Sequence, residues 1–159
     1  MERMVLSWGR AHRLHHNVIH FDAEQYRQQI TRLTDASLNQ KILAHGYGRS
    51  YGDVALNDGG TLVMTRRLKH LLQADWKTGR IRAAAGLSFD ELLQICVPKG
   101  WFIPVSPGTK FVTLGGAVAN DVHGKNHHKS GSFGAHLYCF QLYRSDRGEL
   151  ICSPDENKD

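Results

Sequence analysis

Between Pro107 and Gly134 the chain reads PGTKFVTLGGAVANDVHGKNHHKSGSFG, with six glycines and three histidines around one short apolar run. Glycine reaches positive φ and lets backbone approach another group closely, but ordering it in a fold carries an entropic cost. A segment selected for packing alone would hold more large apolar side chains. The composition therefore points to a binding surface. Thr113 followed by Leu114, Gly115 and Gly116 has the form of a capped helix start, whose free amides and dipole favour an anion. Pro107-Gly108-Thr109 can turn tightly and bring backbone to the same ligand.

A second glycine-rich stretch, HGYGRSYGD at 45–53, follows the strand-like KILA at 41–44. Its glycines at 46, 48 and 52 miss the dinucleotide pattern G-x-G-x-x-G by one residue, because Tyr51 stands at the third position. Thr65, Arg66 and Arg67 occupy the place of a ribose-binding acid, and no Gly-Lys-Ser/Thr follows, which disfavours both classical nucleotide folds. The chemistry still suits a diphosphate. Glycine-exposed amides form an anion-binding concavity, Ser50 adds a hydroxyl and Arg49 a cation. Taken alone, this stretch reads equally well as an ordinary strand-to-loop turn. Two such stretches, far apart in sequence, fit one diphosphate held from two sides.

Composition narrows the alternatives. The 159 residues, 41% hydrophobic and 22% charged, suit one soluble domain or two small lobes. No apolar run reaches the roughly 18–20 residues that span a bilayer. The opening MERMVLSWGRAHRLHH lacks the apolar core of a signal peptide, so a cytoplasmic chain is expected. Cys96, Cys139 and Cys152 are odd in number and form no CxxC, which fits reduced thiols. A net charge of +5 raises nucleic acid as a partner, but the basic residues are scattered and not interleaved with aromatics. No nucleic-acid partner is expected, although a basic surface also attracts phosphate-bearing ligands. His123, His127 and His128 raise a metal site. A structural zinc needs four ligands, and adjacent histidines on an extended chain point to opposite sides, so no metal is expected. His127 and His128 read as polar surface, His123 as ligand-facing.

The element pattern is α+β. Residues 1–21 read as an extended lead-in and 22–159 as the domain proper. Asp22 and Gln25 resemble a capping box before an amphipathic helix in AEQYRQQITRL. Strands are expected at 41–44, 60–65 and 80–85, with a turn at Lys77–Gly79. Ser88 should cap a helix from Phe89 to Cys96, and Gly100 should end that segment. WFIPV reads as a strand or an extended segment. Residues 137–145 and 149–152 flank the hairpin turn Asp146-Arg147-Gly148.

Together, HGYGRSYGD, Asn57-x-Gly59-Gly60 and the Pro107–Gly134 segment resemble the flavin-dependent oxidases of the vanillyl-alcohol-oxidase superfamily. The likeness extends to the decaprenylphosphoryl-ribose oxidase branch and includes the Ser7-Trp8-Gly9-Arg10 opening. It implies a PCMH-type FAD-binding domain of two α+β lobes clasping FAD. Its pyrophosphate loop would comprise Gly46, Tyr47, Gly48, Arg49, Ser50, Tyr51, Gly52 and Asp53. The second segment would follow the rest of the cofactor through Pro107, Gly108, Thr109, Thr113, Leu114, Gly115, Gly116, Asn120, Asp121, Val122 and His123. His123 and Lys125, with Gly124 between them, would stand near the flavin and substrate. Many relatives attach FAD through a histidine where this chain has Arg49, so non-covalent FAD is expected. The resemblance implies oxidation of an alcohol group of a sugar, polyol or glycolipid-like substrate. Relatives are longer, so the catalytic base and the substrate domain are expected downstream. The alternative is a truncated, non-catalytic remnant, prone to self-association through exposed apolar surface.

Overall fold

The computed structural model describes residues 2–21, 23–35, 41–144 and 146–156. Among the described residues, eight strands and four α-helices build an α+β fold. They are β1 (Glu2–Val5), β2 (Leu14–His20), α1 (Tyr26–Asp35), β3 (Ile42–His45), β4 (Thr61–Met64), β5 (Leu71–Asp75), β6 (Arg80–Ala83), α2 (Phe89–Cys96), α3 (Leu114–Ala119), α4 (His127–Ser130), β7 (Phe140–Arg144) and β8 (Gly148–Cys152).

The first lobe is a sheet of order β1-β2-β4-β3. β2, β4 and β3 run parallel, with His20, Met64 and His45 in register at their carboxyl ends. The segment read as a lead-in is extended, but it supplies β1 and β2 and is therefore structural. Its histidines hid the pattern: alternation is present, yet the inward position is His16, which is 1% exposed. Asn57 N donates to His16 Nε2 at 3.0 Å, which satisfies one side of the buried ring. Val18, Phe21, Leu56, Leu62 and Val63 complete this small core. The cap expected at Asp22 lies outside the described residues.

The second lobe packs around Leu87, Phe89, Leu92, Cys96, Ile103, Val105, Val112, Ala117 and Phe133. Ser88 caps α2 as expected. Its hydroxyl accepts from Glu91 N, and the Glu91 carboxylate takes the Ser88 amide at 2.9 Å, a complete capping box. Gly100 ends the following 3-10 turn at φ 80. The hairpins form at β5–β6 and β7–β8, in antiparallel register from Asp75↔Arg80 and Arg144↔Gly148. WFIPV is extended and joins no named strand.

Candidate cofactor site

The first glycine loop leaves β3 at the carboxyl edge of the parallel strands, where open α/β sheets place their ligands. His45 anchors it from below. The ring is 4% exposed, and its Nδ1 lies 2.9 Å from Ala55 O. Burial pushes the imidazole below its ordinary value, against the effect of the Ala55 contact and with His16 lowering it further. Gly48 takes φ 62 directly over this ring, where a Cβ would sit 3.1 Å from His45 Cε1. His45 is thus the floor of the loop.

The loop's amides are available. From Gly46 to Gly52 they take no acceptor among the described residues. Arg49 is half-buried, with its guanidinium 4.9 Å from the Trp8 ring, 5.9 Å from Tyr47 and 6.0 Å from Phe111. Its Nε is buried without a partner among the described residues. Unclaimed amides beside a cation held by aromatics suit a diphosphate in charge and geometry. A cleft of ≈ 400 Å³ opens here, lined by Leu6, Ser7, Trp8, Arg10, Tyr47, Gly48 and Arg49. Ser50 is half-buried beside it, while Tyr51, Gly52 and Asp53 are exposed.

The two glycine segments meet. A Cβ added to Gly46 would lie 2.6 Å from Thr113 Oγ1, so only glycine permits this approach. Thr113 caps α3 by accepting from Gly116 N at 3.1 Å. The remaining helix-start amides, however, are not free. Leu114 N donates to Leu87 O and Gly115 N to Ala85 O, each at 2.8 Å. The anion site expected at this helix start is therefore corrected: those amides stitch α3 to the segment before α2. Gly115 serves that stitch, since its Cβ would stand 3.1 Å from Ala85 Cβ.

Further along, several expected site residues hold the local fold. Asn120 Nδ2 donates to Gly116 O at 2.8 Å. Asp121, at φ 39, accepts from Gly134 N at 2.7 Å. Hydrogen bonds from Ser132 and then Gly134 hold its carboxyl below the usual range. Val122 is half-buried against the second core. His123 is exposed, its ring 5.4 Å from His127. Among the described residues, no three His, Cys, Asp or Glu converge to hold a metal. A second cleft of ≈ 420 Å³ brings Lys125 together with Pro107, Gly108 and Phe102. Thr109 lies outside that lining and accepts from Phe111 N at 3.1 Å.

Sequence reasoning passed over a latch between the lobes. Arg66 Nη2 donates to Tyr47 Oη at 2.7 Å, its guanidinium stands 4.0 Å from that ring, and Nη1 reaches Glu91 at 3.2 Å and Gly86 O. Arg66 sat in the place of a ribose acid, and nothing local signals its partners. Burial alone would raise the Glu91 carboxyl, but hydrogen bonds from the Ser88 side chain and amide and from Arg66 outweigh it and bring it from 4.5 to about 2. The folded value lies below the unfolded one, so this stabilisation is complete above pH 4.5 and fades as pH falls toward 2. Glu91→Gln is expected to lower the urea midpoint at neutral pH and to flatten its decline between those values. An unchanged acid limb in the variant would refute the coupling.

The comparisons with known proteins decide what this clasp belongs to. The FAD-binding-domain family matches residues 19–151. The chain is a member of that family. This FAD-binding domain is 38% identical over 149 residues to decaprenylphosphoryl-β-D-ribose oxidase from Mycolicibacterium smegmatis, covering 93% of the chain and 32% of that protein. It is 26% identical over 92 residues to Δ(24)-sterol reductase from Homo sapiens, covering 58% of the chain and 18% of that enzyme. Among solved structures, alkyldihydroxyacetonephosphate synthase superposes with a TM-score of 0.72 at 20% identity, over 89% of this chain and 26% of that one. That likeness concerns the fold alone. The PCMH-type domain therefore spans 32% of the first of these relatives. Among the described residues no helix is long and apolar enough to cross a membrane.

Proposed function

We propose that this chain is the FAD-binding portion of an FAD-dependent oxidoreductase that oxidises an alcohol group of a sugar, polyol or glycolipid-like substrate. The observation that carries this reading is the first loop, whose amides from Gly46 to Gly52 take no acceptor among the described residues while Arg49 stands beside them. Those amides and Arg49 would hold the diphosphate. Gly108, Thr109 and Lys125 would border the cofactor's other end, with Lys125 donating to a substrate oxygen. When bound, FAD supplies the two-electron acceptor; the protein binds and orients it. The similarity to a decaprenylphosphoryl-β-D-ribose oxidase supports a sugar-bearing substrate.

The attachment would be non-covalent, because Arg49 has no nucleophile to offer the isoalloxazine. Acid precipitation of the FAD-loaded protein is expected to leave all flavin in the supernatant. A yellow pellet would contradict that. Activity is tested by loading the purified chain with FAD and following flavin absorbance on adding alditols, aldoses and phosphorylated sugars under anaerobic conditions. Bleaching by any of these supports the oxidase reading. Tight FAD that no such donor bleaches leaves FAD binding standing without catalysis by this chain alone. A chain that never takes up FAD overturns the FAD-binding reading and leaves only the inert remnant.

A further inference from the structure

The turn Ser7–Arg10 precedes the residues matched by the family and closes against the first glycine loop. Arg10 N donates to Ser7 O at 3.1 Å, which sets the turn, and Arg10 sits at φ 52. Neither Arg10 nor Arg49 has a carboxylate partner among the described residues. Ser7 is 3% exposed, yet its Oγ has no partner there either, and the same holds for Arg49 Nε. A buried donor left without an acceptor is unfavourable unless something supplies one. Trp8, 53% exposed, lies over Arg49 and forms the outer wall. The chain thus places two uncompensated guanidiniums and an orphaned hydroxyl around one cleft, next to unclaimed amides. Guanidinium forks match phosphate oxygens in shape as well as charge.

We propose that this cleft is a phosphoryl subsite, in which Arg10, Arg49 and Ser7 hold the oxyanion and Trp8 covers it. The SWGR turn is then part of the binding machinery. The inference rests on the FAD-dependent reading only for the origin of the phosphoryl group. That origin is either the diphosphate of FAD or the phosphate ester of a glycolipid-like substrate.

The test is calorimetric titration of the purified chain with inorganic pyrophosphate and with ribose 5-phosphate, before and after FAD loading. Both probes are expected to bind the FAD-free protein. Arg10→Gly is expected to weaken them roughly tenfold to a hundredfold, the span of one charge-assisted contact. Glycine also relieves the positive φ, so the thermal midpoint should hold or rise, which separates lost binding from lost fold. Ser7→Ala, which keeps both guanidiniums, should weaken binding several-fold by the same route. If FAD-loaded protein still binds ribose 5-phosphate through Arg10, the subsite serves substrate. If FAD loading abolishes phosphate binding and Arg10→Gly loosens FAD, it serves the cofactor. Unchanged probe affinity in both variants, or no probe binding together with unaltered FAD affinity in Arg10→Gly, overturns the proposal. Pyrophosphate binding through Arg10 in a chain that never takes up FAD keeps the subsite and removes the FAD reading.

Discussion

Gly86→Ala is expected to lower the unfolding midpoint by roughly 6–12 °C, the shift that about 3 kcal/mol produces in a chain of this size. A Cβ at this position collides with Thr65 O and sits 2.7 Å from Leu68 O. Both are backbone atoms, so no side chain can swing aside. Gly86 N also donates to Leu68 O at 2.8 Å, and its carbonyl receives Arg66. The substitution therefore forces apart the segment that carries α2 and the turn that carries the Arg66 latch. Differential scanning calorimetry of the purified variant measures this. A midpoint within 2 °C of the parent, well under the shift expected from overpacking, would show that the junction yields at little cost.

Gly46→Ala is expected to weaken FAD at least roughly tenfold, equivalent to about 1.4 kcal/mol, while leaving most of the fold intact. The new methyl would press on Thr113 Oγ1 at 2.6 Å and on Cγ2 at 3.1 Å. Thr113 is 3% exposed and has no room to turn outward. Displacing it removes the α3 cap, which costs about 1 kcal/mol, and lifts the first loop off the second. Flavin fluorescence titration reads the affinity. Adding Thr113→Gly removes the collision and leaves a residue that caps helices tolerably, so the double variant should regain much of the lost affinity. If Gly46→Ala binds FAD like the parent, contact between the loops does not shape the cofactor site.

Particular residues explain how far the sequence was readable. Ser88, Asp90 and Glu91 announce α2 because a capping box uses neighbours within one helical turn. Thr113 and Asp146–Gly148 are legible for the same reason: their partners lie close in sequence. The parallel arrangement of β2, β4 and β3 was not, because a strand's neighbours are chosen over long separations. β2 was further disguised by the buried His16, an inward polar residue at a position where the alternating pattern calls for an apolar one. Gly86 carried no visible demand, since the carbonyl that excludes a side chain there belongs to Thr65. Arg66 likewise finds Tyr47, Gly86 and Glu91 only after the chain has folded back on itself.

The glycine segments divide along the same line. The sequence by itself determined that both are glycine-rich, that Thr113 caps a helix, that Arg49 stands in the first loop, and that these motifs together belong to an FAD-binding domain. The tertiary structure decided which amides remain available. An amide is claimed or left free by whichever carbonyl folding brings to it, and that carbonyl is rarely a sequence neighbour. The α3 amides were claimed by Leu87 O and Ala85 O, whereas those from Gly46 to Gly52 took no acceptor among the described residues. On the reading proposed above, anion binding would fall to the first loop and to the Ser7–Arg10 turn folded against it. At its helix start, the Pro107–Gly134 segment contributes the wall that Gly46 is small enough to touch.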